Sequence, residues 1–265
     1  MAGLKMIDGK EVVNICPNGS DGPIIEIESI LIQLPEIPDD ILFKSLPLVN
    51  QKWQRFELPK ELSQIQSMDD WYEAPREFQN KWNPYIEEEF RRRREGLWFM
   101  NKGEPTYITG HHYMFLQWSK IDIGYPGYLD FQRKLFTHFA ACEADPRCLG
   151  QIYTKCRRSG YTNMSAATLV DEGSQVTEKL LGIMSKTGTD AQEAVFGSKI
   201  VPIFRSYPFF LKPILDGTTN PRMELAFREP AKRITKKNKT THSGEALDTI
   251  INWKNTTNNA YDGSK

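Results

Sequence analysis

The residues best placed to do chemistry stand in one stretch, Lys155-Cys156-Arg157-Arg158-Ser159-Gly160-Tyr161-Thr162. Cations, a glycine and hydroxyls packed this closely suit the binding of a phosphate group. Set beside the phosphate-loop pattern G-x-x-x-x-G-K-[ST], Gly160 falls on the second glycine and Thr162 on the Ser/Thr. Tyr161 takes the usual lysine position, and a lysine stands instead at the first position, Lys155. The chemistry tolerates that exchange. Backbone N–H groups from Cys156 to Tyr161 can wrap phosphate oxygens, helped by the N-terminus of a following helix. Gly160 lets the backbone approach closely. The Thr162 hydroxyl can ligate Mg²⁺. Lys155 has a long flexible stem with which to reach across the loop, and Arg157 and Arg158 can add charge or sense the terminal phosphate. The same residues also suit an ordinary basic loop between a strand and a helix.

Several elements must position this loop. The sequence predicts a helix from Phe131 to Ala144, ending at Asp145-Pro146. A short apolar strand from Leu149 to Thr154 should follow, then the loop, a helix from Thr162 to Glu172, and a strand from Leu180 to Ser185. Residues 189–205 read as helical again. Strand, loop, helix, strand at this rhythm is a βαβ unit and implies a parallel sheet. Met223–Arg228 and Leu247–Trp253 read as the two strands of a hairpin. The link between them holds Lys232, Arg233, Lys236, Lys237 and Lys239, either a solvated loop or one that touches DNA or a partner.

Upstream, residues 1–22 read as a flexible polar lead-in and 24–34 as a strand. Pro35, Pro38 and Pro47 keep the chain extended after it. A helical region carries Glu87–Glu95, with acids about four residues before bases, which favours i,i+4 pairing and a solvated face over a phosphate contact. Residues 96–119 form an aromatic-rich block. His111 and His112 point to different sides of any regular element, so packing or surface roles suit them better than metal binding.

Composition bounds the answer. The chain has 265 residues, formal net charge zero and 11% aromatics. That suits a folded protein in which any nucleic-acid contact is local. Of the four cysteines, Cys16, Cys142, Cys148 and Cys156, none forms a C-x-x-C pair. His138, Cys142 and Cys148 fit no common zinc knuckle, and no second ligand pair follows, so the cysteines read as reduced thiols. No signal peptide and no apolar run of membrane-spanning length are present.

The spaced motif Lys155-x-x-Arg158-x-Gly160-Tyr161-Thr162 resembles the deviant Walker A of tailed-phage terminase large subunits of the lambda type, in which the lysine stands at the start of the motif. The aromatic block Thr106–Trp118 is similar to large terminases of crAss-like phages. The resemblance covers roughly residues 80–265. It implies an α/β P-loop ATPase (ASCE-type) with a mainly parallel sheet and flanking helices, incomplete at the C-terminus, and an α-rich lid subdomain before it. The corresponding division is 1–49 lead-in, 50–125 lid and 126–265 ATPase core. ATP and Mg²⁺ would be the cofactors, and Lys155 and Arg158 the catalytic cations. The family's adenine-recognising glutamine would be Gln132, in Tyr125-Pro126-Gly127-Tyr128-Leu129-Asp130-Phe131-Gln132, with Tyr128 or Phe131 stacking on the base. The implied partners are double-stranded viral DNA, the portal protein, the small terminase subunit and further copies in a ring. The implied place is the host cytoplasm, at the procapsid portal.

One family element is missing. A Walker B strand should end in Asp-Glu. Val170-Asp171-Glu172 falls inside the first helix after the loop, and Asp248 precedes its apolar run. The chain is therefore expected to stop before Walker B, as a fragment that binds ATP weakly and hydrolyses it negligibly. The competing classes are another P-loop ATPase such as a helicase, and a non-enzymatic virion or binding protein.

Overall fold

The computed structural model describes residues 2–16, 18–19, 22–39, 53–218, 220–229 and 246–256. These fall into two compact units interleaved in sequence. One comprises Met1–Glu57, Arg76–Gln117 and Gly127–Arg157; the other Leu58–Pro75, Trp118–Pro126 and Arg158–Lys265. The units cut across the expected boundaries at 49/50 and 125/126.

The first unit opens with strands β1 (Gly3–Ile7) and β2 (Lys10–Asn14), then β3 (Ile24–Ile27) and β4 (Ile30–Gln33). They form one sheet in the order β1-β2-β4-β3, with β2 parallel to β4 and both hairpins antiparallel. The N-terminal segment is thus not a lead-in. Asp8-Gly9 turns the first hairpin with both residues at positive φ, and Glu28-Ser29 turns the second the same way. Such turns match the right-handed twist of the strands they join. This splits the single strand expected over 24–34.

Helix α2 (Arg76–Glu95) leads into a third hairpin, β5 (Leu97–Asn101) and β6 (Glu104–Ile108), and then into α3 (Gly110–Gln117). Helix α4 (Asp130–Ala144) follows, one residue longer at its start than the sequence suggests. Val13, Ile27, Ile32 and Leu34 of the sheet pack with Trp98, Tyr107 and Ala141 into the unit's apolar core. A second cluster sits around Trp53, whose ring meets Phe56, Phe99 and Tyr113 edge-on at 5.4–6.2 Å. The buried Gln117 side chain pairs with the Phe56 backbone, accepting from its N–H at 2.9 Å and donating to its carbonyl at 2.6 Å.

The second unit holds α1 (Met68–Glu73), α5 (Tyr161–Gly173), β7 (Leu180–Ser185) and a π-helical stretch, Asp190–Ile200, that continues as α6 (Val201–Ser206). Its sheet is completed by β8 (Glu224–Phe227) and β9 (Thr249–Asn255), in the order β7-β9-β8. β7 runs parallel to β9, and β8 and β9 form the expected antiparallel pair. The basic segment between them lies outside the described residues, as does everything after residue 256. Phe196, Ile203, Phe204, Leu225, Phe227 and Ile251 are buried in this unit.

Leu149–Thr154 is not a strand. It has no ladder partner among the described residues, and Leu149 and Ile152 are fully exposed. The parallel partner of β7 is β9, so the βαβ unit expected around the loop is not formed among the described residues. The sheets are small, and the architecture is mixed α/β.

Gly173 ends α5 against the sheet. A Cβ there would lie 2.7 Å from Ile251 Cδ1 and 3.0 Å from Leu181 Cδ1. Gly173→Val should therefore destabilise by about 1–3 kcal/mol through overpacking, measured by denaturant unfolding. No change in stability would mean that Ile251 has room to swing away.

Candidate functional site

The loop from Lys155 to Thr162 is built by backbone conformation. Arg158 and Gly160 both take left-handed φ, at 67° and 76°. For arginine this costs on the order of 1 kcal/mol, while glycine accepts it freely. The unit boundary falls between Arg157 and Arg158. Gly160 then serves as N-cap of α5, its carbonyl accepting from Asn163 and Met164 at 3.0 and 3.2 Å. No side chain caps this end, and no acidic residue stands in the first turn. Among the described residues, no side-chain cap and no first-turn acid offsets the positive pole of this 13-residue helix.

Two polar atoms beside that pole are buried without a protein partner, Ser159 Oγ and Asn163 Oδ1. Buried polar atoms are nearly always hydrogen-bonded, so orphans in a loop suggest a missing ligand. Lys155, Cys156, Arg157 and Arg158 are exposed, while Ser159, Tyr161 and Thr162 are half-buried at the helix start. A Cβ at Gly160 would meet nothing within 4 Å, so the space over the loop is open. Within the second unit, Arg158–Thr162 can hold an anion through main-chain N–H groups, with the exposed Arg158 in the same stretch.

Gln132 lies elsewhere, buried near the start of α4. Its Oε1 accepts from the Leu129 N–H at 3.1 Å and so caps the helix. Tyr128 is also engaged: its hydroxyl meets Asp130 Oδ1 at 3.0 Å, and its ring packs on Phe99 and His112. Phe131 is free of such duties and half exposed. It lines a cleft of about 530 Å³ with Lys134, His138, Tyr153 and Thr154. Sequence reasoning missed this cleft. Its signal was the i, i+3, i+7 spacing of Phe131, Lys134 and His138, which puts them on one face of α4.

His112 is fully buried and stacked between Tyr128 and Phe136. Burial pushes it down from 6.5 to about 3. Below pH 6.5 an unfolded chain takes up a proton that the folded chain refuses. Stability is therefore full above pH 6.5 and falls toward pH 3, by roughly 1.4 kcal/mol per pH unit. His112→Phe should flatten that acid limb in urea titrations. An unchanged limb would assign it to other groups.

Arg91 and Arg92 are salt-bridged to Glu88, and Arg93 is buried. This basic run is therefore largely tied into its own helix. Asp171-Glu172, the one Asp-Glu pair of the sequence, sits in α5, and Asp171 is buried with Gln175 donating to it at 3.1 Å. Among the described residues no helix is long and apolar enough to cross a membrane. No family model, curated protein or solved structure matches the chain.

Proposed function

We propose that this chain binds ATP through the Lys155–Thr162 loop, as the nucleotide-binding part of a DNA-packaging motor of the terminase large-subunit type. The observation that carries the proposal is the uncapped α5 N-terminus behind left-handed Gly160, with Ser159 Oγ and Asn163 Oδ1 orphaned beside it. In this reading, loop N–H groups hold the phosphates and Thr162 ligates Mg²⁺. Lys155 supplies the charge that Tyr161 cannot, and Arg158 meets the terminal phosphate.

Double-stranded viral DNA, the portal protein and the small terminase subunit are the partners this reading carries. The active form is a ring of copies at the procapsid portal in the host cytoplasm. Hydrolysis would need a strand-terminal Asp-Glu pair, which no described strand supplies, so binding is expected without efficient turnover. The test is titration of a fluorescent ATP analogue with Mg²⁺ into the purified chain. Saturable binding displaced by ATP and not by AMP supports the proposal. Absence of binding sinks it.

A further inference from the structure

We propose that the cleft on α4 is a binding site for a free apolar α-amino acid, held through its ammonium and carboxylate groups. Every residue concerned lies in the first unit, and the inference does not rest on the nucleotide reading. The cavity, about 530 Å³, is of a size that takes one small molecule. One side is the α4 face with Phe131, Lys134, Leu135 and His138, spaced i, i+3, i+4, i+7. Ile152 and Tyr153 line it from the extended segment, and Glu28 from the turn of the second hairpin.

Two opposite charges line this cavity without meeting. Among the described residues neither the Lys134 ammonium nor the Glu28 carboxylate has an ion pair or a side-chain hydrogen bond. Separated charges with room between them fit a ligand that carries both signs. An anion alone would be repelled by Glu28, and a cation alone by Lys134. The apolar body of such a ligand meets Leu135, the half-exposed Phe131 and the fully exposed Ile152.

A chain of hydrogen bonds sets the state of His138. Gln151 Nε2 donates to the backbone carbonyls of His138 and Phe139, both at 3.5 Å. Carbonyls only accept, so the other end of this amide, Oε1, is the one that faces Tyr153. The Tyr153 hydroxyl donates to it. The phenolic oxygen is left as an acceptor 3.2 Å from His138 Nδ1, so Nδ1 carries the ring proton. The Cys142 thiol also lies on the Nδ1 side, at 3.8 Å. Nε2 keeps its lone pair and has no partner among the described residues. A neutral acceptor beside an unpaired carboxylate suits an ammonium group, and Lys134, one turn before His138, takes the carboxylate.

The test is calorimetric titration of the 265-residue chain with L-phenylalanine and L-leucine. Saturable binding of one molecule per chain is expected. Hydrocinnamate lacks the ammonium and phenethylamine the carboxylate, and each should bind at least about 10-fold more weakly than L-phenylalanine. Lys134→Gln should weaken L-phenylalanine by a similar factor and leave phenethylamine no weaker than in wild type. Glu28→Gln should do the same with hydrocinnamate as the spared ligand. Both side chains are exposed, so these variants keep the fold, which circular dichroism checks. Long-range proton–nitrogen spectra should show His138 protonated on Nδ1 in the free chain, with the Nε2 signal shifting when L-phenylalanine is added. Failure of both amino acids to bind overturns the site. So does equal affinity for the two analogues and L-phenylalanine, or a free chain whose His138 carries its proton on Nε2.

Discussion

Lys155→Ala should weaken binding of Mg²⁺–ATP by about 10–100-fold while leaving the fold intact. The side chain is exposed at the base of the loop, so its removal takes away no core packing. On the proposed reading it removes a charge-assisted contact to phosphate, worth about 1.5–3 kcal/mol. Tyr161 offers no cation in compensation. Thr162→Ala should behave differently: if the hydroxyl acts through the metal, as proposed, loss should be pronounced with Mg²⁺ present and slight without it. Gly160→Val should act through the backbone, since φ of 76° strains any β-branched residue although the space beside it is open. Equal affinity in wild type and Lys155→Ala would remove the displaced lysine from the mechanism. A Thr162→Ala loss independent of Mg²⁺ would make that hydroxyl part of the cradle.

Glu89→Ala should be among the most destabilising single changes in the first unit, by about 3 kcal/mol. The Glu89 side chain is completely buried. One carboxylate oxygen holds Arg92 Nη1 at 2.9 Å, and the other accepts from the Tyr113 hydroxyl at 2.6 Å. Burial and the carboxylate itself both push the Tyr113 hydroxyl up, so it stays a donor. Truncation leaves that buried hydroxyl without an acceptor and opens a cavity between α2 and α3. Arg92 keeps its bond to Glu88 and its place over the Phe56 ring, which limits the loss. At roughly 2–4 °C per kcal/mol, the thermal midpoint should fall by about 6–12 °C. Tyr113→Phe should cost less, about 1–3 kcal/mol, since only one bond is removed. A Glu89→Ala midpoint within about 2 °C of wild type would show that α2 and α3 are held by apolar contacts alone.

The sequence by itself determined the local elements whose signals are short in range. The Asp145-Pro146 stop ends α4, the apolar run Leu180–Ser185 is β7, and the two strands flanking the basic link pair as a hairpin. The bend at Gly160 was equally legible, because a glycine just before a helical run suits the left-handed φ found there. The hairpin turned at Asp8-Gly9 was hidden by the polar composition of residues 1–22, which read as a lead-in.

Tertiary structure alone decided the rest. Leu149–Thr154 has strand composition, but a strand exists only where another backbone pairs with it, and none does among the described residues. β7 found its parallel partner in β9, some seventy positions along the chain. Gln132 reads as a recognition residue by type, yet burial and a free N–H at Leu129 made it a helix cap. Spacing specifies what one element can present to a ligand. What faces it from elsewhere depends on how the chain returns, and that is settled by burial and hydrogen bonding over the whole unit.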